Sequence, residues 1–311
     1  MATVDALSSA YEACTRGCGV VDRSAAGKLL LVGEEAAGFL DGQVSNDIAT
    51  LERGRGRYAT LLTNKGRILA DLRVLHREDG LLLVCERPAL QALFDQLRRG
   101  MIGWKVALEK RTLQLGLLSL VGPQAEAIAR AAALPVPGPE EHDVAGDVVR
   151  TDVGLDVLPV AERTEELRAA LVAAGATEVP EAAAEVLRVE RGRPRHGLDL
   201  DDGVMPEEAG IVDRAVSFTK GCYVGQETVA RLHWKGKPNR HLRGLRLSAP
   251  AAHGDPVVAG EREVGRVGSA VVSPRLGPIA LAILRREIAP GDRVAVGAGG
   301  ASAEVVALPF D

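Results

Sequence analysis

The C-terminal segment constrains the fold most. From Leu242 onward, short Val-rich pieces alternate with Gly-Asp, Ala-Gly, Leu-Gly-Pro and Pro-Gly-Asp turns at about ten-residue spacing, with no helical period. Pieces so short cannot bury a face alone. Turns at that spacing bring each strand back beside the last, which predicts a small antiparallel barrel or sandwich. Upstream the texture is mixed. Residues 8–18, Glu34 to Leu40, Pro88 to Met101, Gln124 to Ala133, Thr164 to Ala174 and Glu181 to Glu190 read as helices. Lys28 to Val32 and the runs Arg57–Leu62, Arg67–Leu75 and Leu81–Glu86 read as strands, with Val106–Leu108 and Leu113–Val121 beyond them. Asn64-Lys65-Gly66 and Glu78-Asp79-Gly80 carry turn chemistry between the three runs, so an antiparallel meander is expected. Residues 134–147, rich in proline, form a loop. The predicted fold class is α+β: two α+β subdomains with antiparallel sheets at 1–115 and 116–238, then a small β-barrel at 239–311.

Composition removes several function classes. The 311 residues include 38 Lys plus Arg against 42 Asp plus Glu, a formal charge of -4, so bulk electrostatics do not hold this chain on nucleic acid. At 3% aromatics it lacks a base-stacking platform. A basic run, Lys235, Lys237, Arg240, Arg243 and Arg246, reads as a solvated strand face or a docking edge. Cys14, Cys18, Cys85 and Cys222 are too thinly spread for a disulfide framework. Cys14 and Cys18 are spaced to share one helical face. No second Cys or His pair accompanies them at zinc-like spacing, and His233, His241 and His253 sit at no ligand spacing, so no metal site is expected. The N-terminus shows neither a basic n-region nor an apolar h-region, and apolar runs are strand-length, so the chain reads as cytoplasmic, without membrane contact, and monomeric.

The sharpest segment is Lys220-Gly221-Cys222-Tyr223-Val224-Gly225-Gln226-Glu227, continuing to Arg231. Glycines flank Cys222 and Tyr223, allowing positive φ or close approach of a ligand to the backbone. Gln226 to Arg231 reads as the start of a helix. Such a start, with Lys220 nearby, favours a thiolate at Cys222. On residue types alone, a small cysteine packed beneath a glycine turn fits better, since a lone cysteine is usually structural. Asp71, in Ile68-Leu69-Ala70-Asp71-Leu72, lies on a strand and points opposite Ile68, Ala70 and Leu72. By itself it reads as a solvent-facing carboxylate. Glu190, between Arg188 and Arg191, likewise reads as a solvated ion-pair partner.

The whole string resembles the signature Lys-Gly-Cys-Tyr-x-Gly-Gln-Glu-x-x-x-Arg of the YgfZ family, folate-binding relatives of the glycine-cleavage T-protein (aminomethyltransferase). Lys220, Gly221, Cys222, Tyr223, Gly225, Gln226, Glu227 and Arg231 match it. Asp22-x-Ser24, Gln43 to Asp47, Asn64-Lys65-Gly66, Leu118 to Pro123, Arg188 to Pro194, Pro206 to Gly210 and Leu308-Pro309-Phe310 resemble further superfamily elements in order. The resemblance implies that three domains form a ring with tetrahydrofolate in its central channel. Asp71 would sit at the folate's reactive nitrogens. Aminomethyltransferases have two acidic residues there, and Ala70 replaces the first. Glu190 would take the pterin N–H groups, and Lys220 the glutamate tail or pterin edge. Asn64, Gly221, Tyr223, Gly225, Gln226, Glu227 and Arg231 would contribute to binding. The implied function is tetrahydrofolate-dependent support of iron–sulfur cluster assembly or repair and of iron–sulfur-dependent tRNA modification. Its partners would be iron–sulfur client enzymes or assembly proteins, with Cys222 and Asp71 as the reactive groups. The alternative is an aminomethyltransferase, transferring a one-carbon unit to tetrahydrofolate.

Overall fold

The computed structural model describes residues 4–311 and divides the chain into two compact units. The first comprises Met1–Leu61, Ala70–Ala184 and Thr219–Val224. The second comprises Leu62–Leu69, Glu185–Phe218 and Gly225–Asp311.

The meander is present and extends into a five-stranded sheet. Its order is Gly56–Leu62, Ile68–Arg77, Gly80–Cys85, Gly27–Val32, Ala107–Lys110. Along Ile68–Arg77 the side chains alternate as the sequence requires: Ile68, Ala70, Leu72 and Val74 are buried, whereas Asp71 and Arg73 lie on the other face. The helix Leu90–Gly100 buries Leu93 and Leu97, each such leucine contributing about 1.5–3 kcal/mol relative to exposure. A second, six-stranded sheet has the order Thr177–Glu178, Gly19–Asp22, Leu118–Val121, Gly154–Val157, Val148–Thr151, Val144–Ala145. Its pairings are antiparallel except Gly19–Asp22 with Thr177–Glu178, a parallel edge that nothing in the local pattern announces.

Two elements differ from expectation by more than two residues at one end. The first helix ends at Arg16, with the Gly17 amide closing its last turn on the Ala13 carbonyl. Cys18 therefore lies beyond the helix and shares no helical face with Cys14. The strand expected from Leu113 starts only at Leu118, because Arg111 to Leu115 form turns that accept two amides on the Arg111 carbonyl.

In the second unit, Arg240–Leu247, Gly277–Arg285, Arg262–Ser273, Pro256–Ala259, Arg293–Val296 and Ala301–Val306 close into a six-stranded barrel. Leu245, Val257, Val267, Leu284, Val294 and Val305 are among the side chains that fill it. On its outside, Val189, from the helix Glu181–Glu190, packs on Ile279, Leu281 and Phe310. Among the described residues no helix is long and apolar enough to cross a membrane.

Candidate functional site

In the first unit the signature turn is pinned on both sides of its cysteine. The Lys220 side chain is 1% exposed, and its ammonium donates to the carbonyls of Val44 and Asn46, both at 2.9 Å, and of Asp41. It also lies 3.1 Å from Asp41 Oδ1 and 5.2 Å from the centre of the Tyr223 ring. Burial pulls the lysine below its ordinary pKa, and the hydrogen bond and charge of Asp41 counter it. Burial pushes the nearby Asp47 carboxyl up. Hydrogen bonds from Thr50, with the charges of Arg57 and Lys220, outweigh that and hold it low. Tyr223 is buried. Its hydroxyl has no hydrogen-bond partner among the described residues, and burial raises it to about 12.

Between these anchors Cys222 is exposed, so it is not the packed cysteine that residue types alone allow. The other three thiols are buried. Burial lifts Cys14 to about 11, and Cys18 and Cys85 to about 12.

Asp71 belongs to the same unit and is half-buried rather than solvent-facing. The Tyr58 hydroxyl donates to its Oδ2 at 2.8 Å, and Asn46 Nδ2 donates to the Tyr58 carbonyl at 2.8 Å. The Asn46 carbonyl is in turn one of the acceptors of Lys220. Asp71, far in sequence from Lys220 and Tyr223, thus shares one neighbourhood with them and with Asp41, Asn46 and Tyr58. Sequence reasoning assigned those three no role. Asn46 lies in the Gln43–Asp47 element, but nothing around Tyr58 marks it as the carboxylate's donor.

Gly221 also lies in the first unit, and the remaining predicted residues belong to the second. Gly225 has φ +87° and precedes the helix Gln226–Lys235. A Cβ there would lie 2.6 Å from the Thr63 carbonyl oxygen, so glycine is required as the helix start packs on the Asn64-Lys65-Gly66 turn. Gly221 is different: its φ is not positive, and a Cβ would meet nothing within 4 Å. Asn64, Glu227 and Arg231 are exposed and Gln226 is half-buried. Glu190 is only 6% exposed, which overturns its reading as a solvated ion-pair partner. It points away from water because the Ser273 hydroxyl donates to Oε1 at 2.5 Å, while Arg275 lies 3.7 Å from Oε2. Ser273 Oγ also accepts the amides of Arg275 and Leu276, so the carboxylate braces a barrel turn. Among the described residues no group of three or more His, Cys, Asp or Glu is arranged to hold a metal ion.

Comparisons agree with this architecture. The GCVT N-terminal domain family matches residues 2–220, and the glycine cleavage T-protein C-terminal barrel domain matches 240–311. An aminomethyltransferase of Streptomyces avermitilis is 32% identical over 94% of this chain and 86% of its own length. One from Rubrobacter xylanophilus is 29% identical over 98% and 86%. A putative chloroplastic transferase of Arabidopsis thaliana is 27% identical over 84% and 63%. The crystal structure of glycine cleavage system aminomethyltransferase T from Bartonella henselae superposes with a TM-score of 0.89, at 24% identity, over 98% of this chain and 89% of that one. The α+β architecture with its closed C-terminal barrel is thus that of the glycine-cleavage T-protein, and the chain belongs to that family.

Proposed function

We propose that this chain is a tetrahydrofolate-binding protein of the YgfZ type, supporting assembly or repair of iron–sulfur clusters in client enzymes. The observation that carries this reading is the presentation of Cys222. A single exposed thiol stands between two buried anchors, Lys220 and Tyr223, while the other three cysteines are buried. One cysteine cannot retain a cluster, which takes about four thiolates. In this reading Cys222 engages a client transiently, by redox exchange or shared ligation.

The groups present suit a folate. The buried Tyr223 hydroxyl is an unused donor and acceptor, and the half-buried Asp71 carboxylate accepts hydrogen bonds. When bound, tetrahydrofolate supplies ring nitrogens that carry one-carbon units. Asp71 receives or returns a proton at Oδ1 or Oδ2 and orients those nitrogens. By family likeness Glu190 accepts the pterin N–H groups.

A second reading, aminomethyltransferase, is favoured by the retained Asp71 and by the names of the relatives. Two experiments separate the readings. If the first holds, Cys222→Ser fails to restore iron–sulfur enzyme activity in a deletion strain, and no ammonia is released from aminomethyl-lipoyl carrier protein. Ammonia release with full complementation by the serine variant establishes the second. In either case Glu190→Ala is expected to weaken tetrahydrofolate binding roughly 10- to 100-fold by calorimetry, as for loss of a hydrogen bond to a charged group.

A further inference from the structure

A chain of hydrogen bonds runs from the signature lysine to the candidate carboxylate within the first unit. Lys220 Nζ donates to the Asn46 carbonyl at 2.9 Å, Asn46 Nδ2 to the Tyr58 carbonyl at 2.8 Å, and the Tyr58 hydroxyl to Asp71 Oδ2 at 2.8 Å. We propose that Lys220 and Tyr58 are positioning residues for Asp71: the lysine anchors the loop that holds Tyr58, and Tyr58 holds the carboxylate. This rests on the role given to Asp71 above.

The chemistry of each link explains its residue type. An ammonium is a compact point donor with three rotatable N–H groups. It suits three carbonyls converging from one loop, as a planar guanidinium does not. The carbonyls it reaches are that of Asp41, at the end of the helix Ala36–Asp41, and those of Val44 and Asn46, in the segment that leads from it to the strand Gly56–Leu62. With the ammonium's donors so placed, Lys220 acts on the loop rather than on a ligand. Asn46 is oriented from two sides, since its Oδ1 accepts the Asp47 amide at 2.9 Å. It presents its amide to Tyr58, on Gly56–Leu62, and the Tyr58 hydroxyl reaches Asp71 on Ile68–Arg77. An aspartate on a strand face has free χ rotation unless a partner fixes it. A charge-assisted O–H···O bond does so and favours the ionised form. The titratable neighbours of Asp71 include Tyr58 and, from the strand Gly80–Cys85, Cys85. Cys85 is pushed up to about 12, so it is neutral throughout the range in which a carboxyl titrates.

The test is the ¹³C NMR titration of the Asp71 carboxyl, assigned with Asp71→Asn, in ligand-free full-length protein. Tyr58→Phe is expected to raise its midpoint by roughly one pH unit, because a hydrogen bond to the charged form is lost. Lys220→Met should move the midpoint in the same direction, and the double variant no further than Tyr58→Phe alone. An unmoved midpoint in Lys220→Met, or fully additive shifts, overturns the proposal. Should Lys220→Met fail to fold, Asn46→Ala breaks the chain at its next link without removing the lysine, and the same outcomes apply. Tetrahydrofolate affinity is measured in parallel. If Asp71→Asn binds as tightly as wild type, the ligand role of Asp71 is wrong, while the titration still decides the positioning chain.

Discussion

Replacing Lys220 by methionine should selectively destabilise the first unit. The substitution keeps most of the side-chain volume but leaves the carbonyls of Asp41, Val44 and Asn46 without their donor and Asp41 without its cation. Removing one partner of a buried ion pair costs about 3–5 kcal/mol. Asp41 softens this. Its carboxylate is 15% exposed and still accepts the amides of Ile48 at 2.7 Å and Ala49 at 3.1 Å. The lower end, about 3 kcal/mol, is therefore expected. The chain supplies its own reporters: Trp104, packed on Phe39 at 5.7 Å between ring centroids, lies in the first unit, and Trp234 in the second. In a Trp234→Phe background, urea unfolding followed by fluorescence reads the first unit alone. The midpoint should fall by roughly 1–3 M for urea slopes of about 1–3 kcal/mol per M. In a Trp104→Phe background the Trp234 signal should move much less. A loss below about 1 kcal/mol would show that the ammonium is not an anchor and that the burial argument is wrong.

Three further outcomes are expected. Timed alkylation at pH 8, read by peptide mass spectrometry, should label Cys222 at least about 100-fold faster than Cys14, Cys18 or Cys85, whose thiols burial lifts to about 11, 12 and 12; equal labelling of Cys85 would contradict its burial. Those same thiols ionise more readily unfolded, so their stabilisation is complete below about pH 9 and is lost toward pH 11–12, at up to about 1.4 kcal/mol per pH unit for each. Fully buried Lys28, lowered by burial to about 8, has the opposite sign between 8 and 10.5, but one lysine does not outweigh three thiols, so a urea midpoint that holds or rises from pH 9 to 11 would refute the account. Gly225→Ala should cost about 2 kcal/mol or more, from positive φ and the 2.6 Å approach to the Thr63 oxygen, whereas Gly221→Ala should stay within about 0.5 kcal/mol; equal losses, read by Trp234 for Gly225→Ala and by Trp104 for Gly221→Ala, would refute that contrast.

The fold was largely legible because it is built from local signals. Alternation along Ile68–Arg77 placed Asp71 on the face opposite Ile68 and Leu72, and turn residues at regular spacing announced the barrel. What escaped depends on distant partners. The two-residue edge strand Thr177–Glu178 is defined by its pairing with Gly19–Val20 and has no pattern of its own. The burial of Glu190 escaped for the same reason. Flanking arginines suggested a solvated pair, but the carboxylate is buried and accepts from Ser273 on a barrel strand far along the chain, and no local window contains that serine.

The signature motif shows the same division within one string of residues. Its individual letters invite a ligand-binding reading of every position, because lysine, cysteine, tyrosine, glutamine and glutamate can all recognise a small molecule. Physical placement sorts them. Lys220 and Tyr223 are buried and Cys222 is exposed, so alternation between anchor and presented group, not continuous contact, organises the turn. Gly225 answers a backbone requirement, and Gly221 answers none that sterics impose. A motif matched residue by residue therefore mixes positions that touch a ligand with positions that hold those in place. Only the destination of each donor and acceptor tells them apart. For Lys220 that destination is the 41–46 loop, and through Asn46 and Tyr58 it reaches Asp71. The lysine that a sequence reader would assign to the ligand's acidic tail is, in this geometry, the far end of the support for the carboxylate.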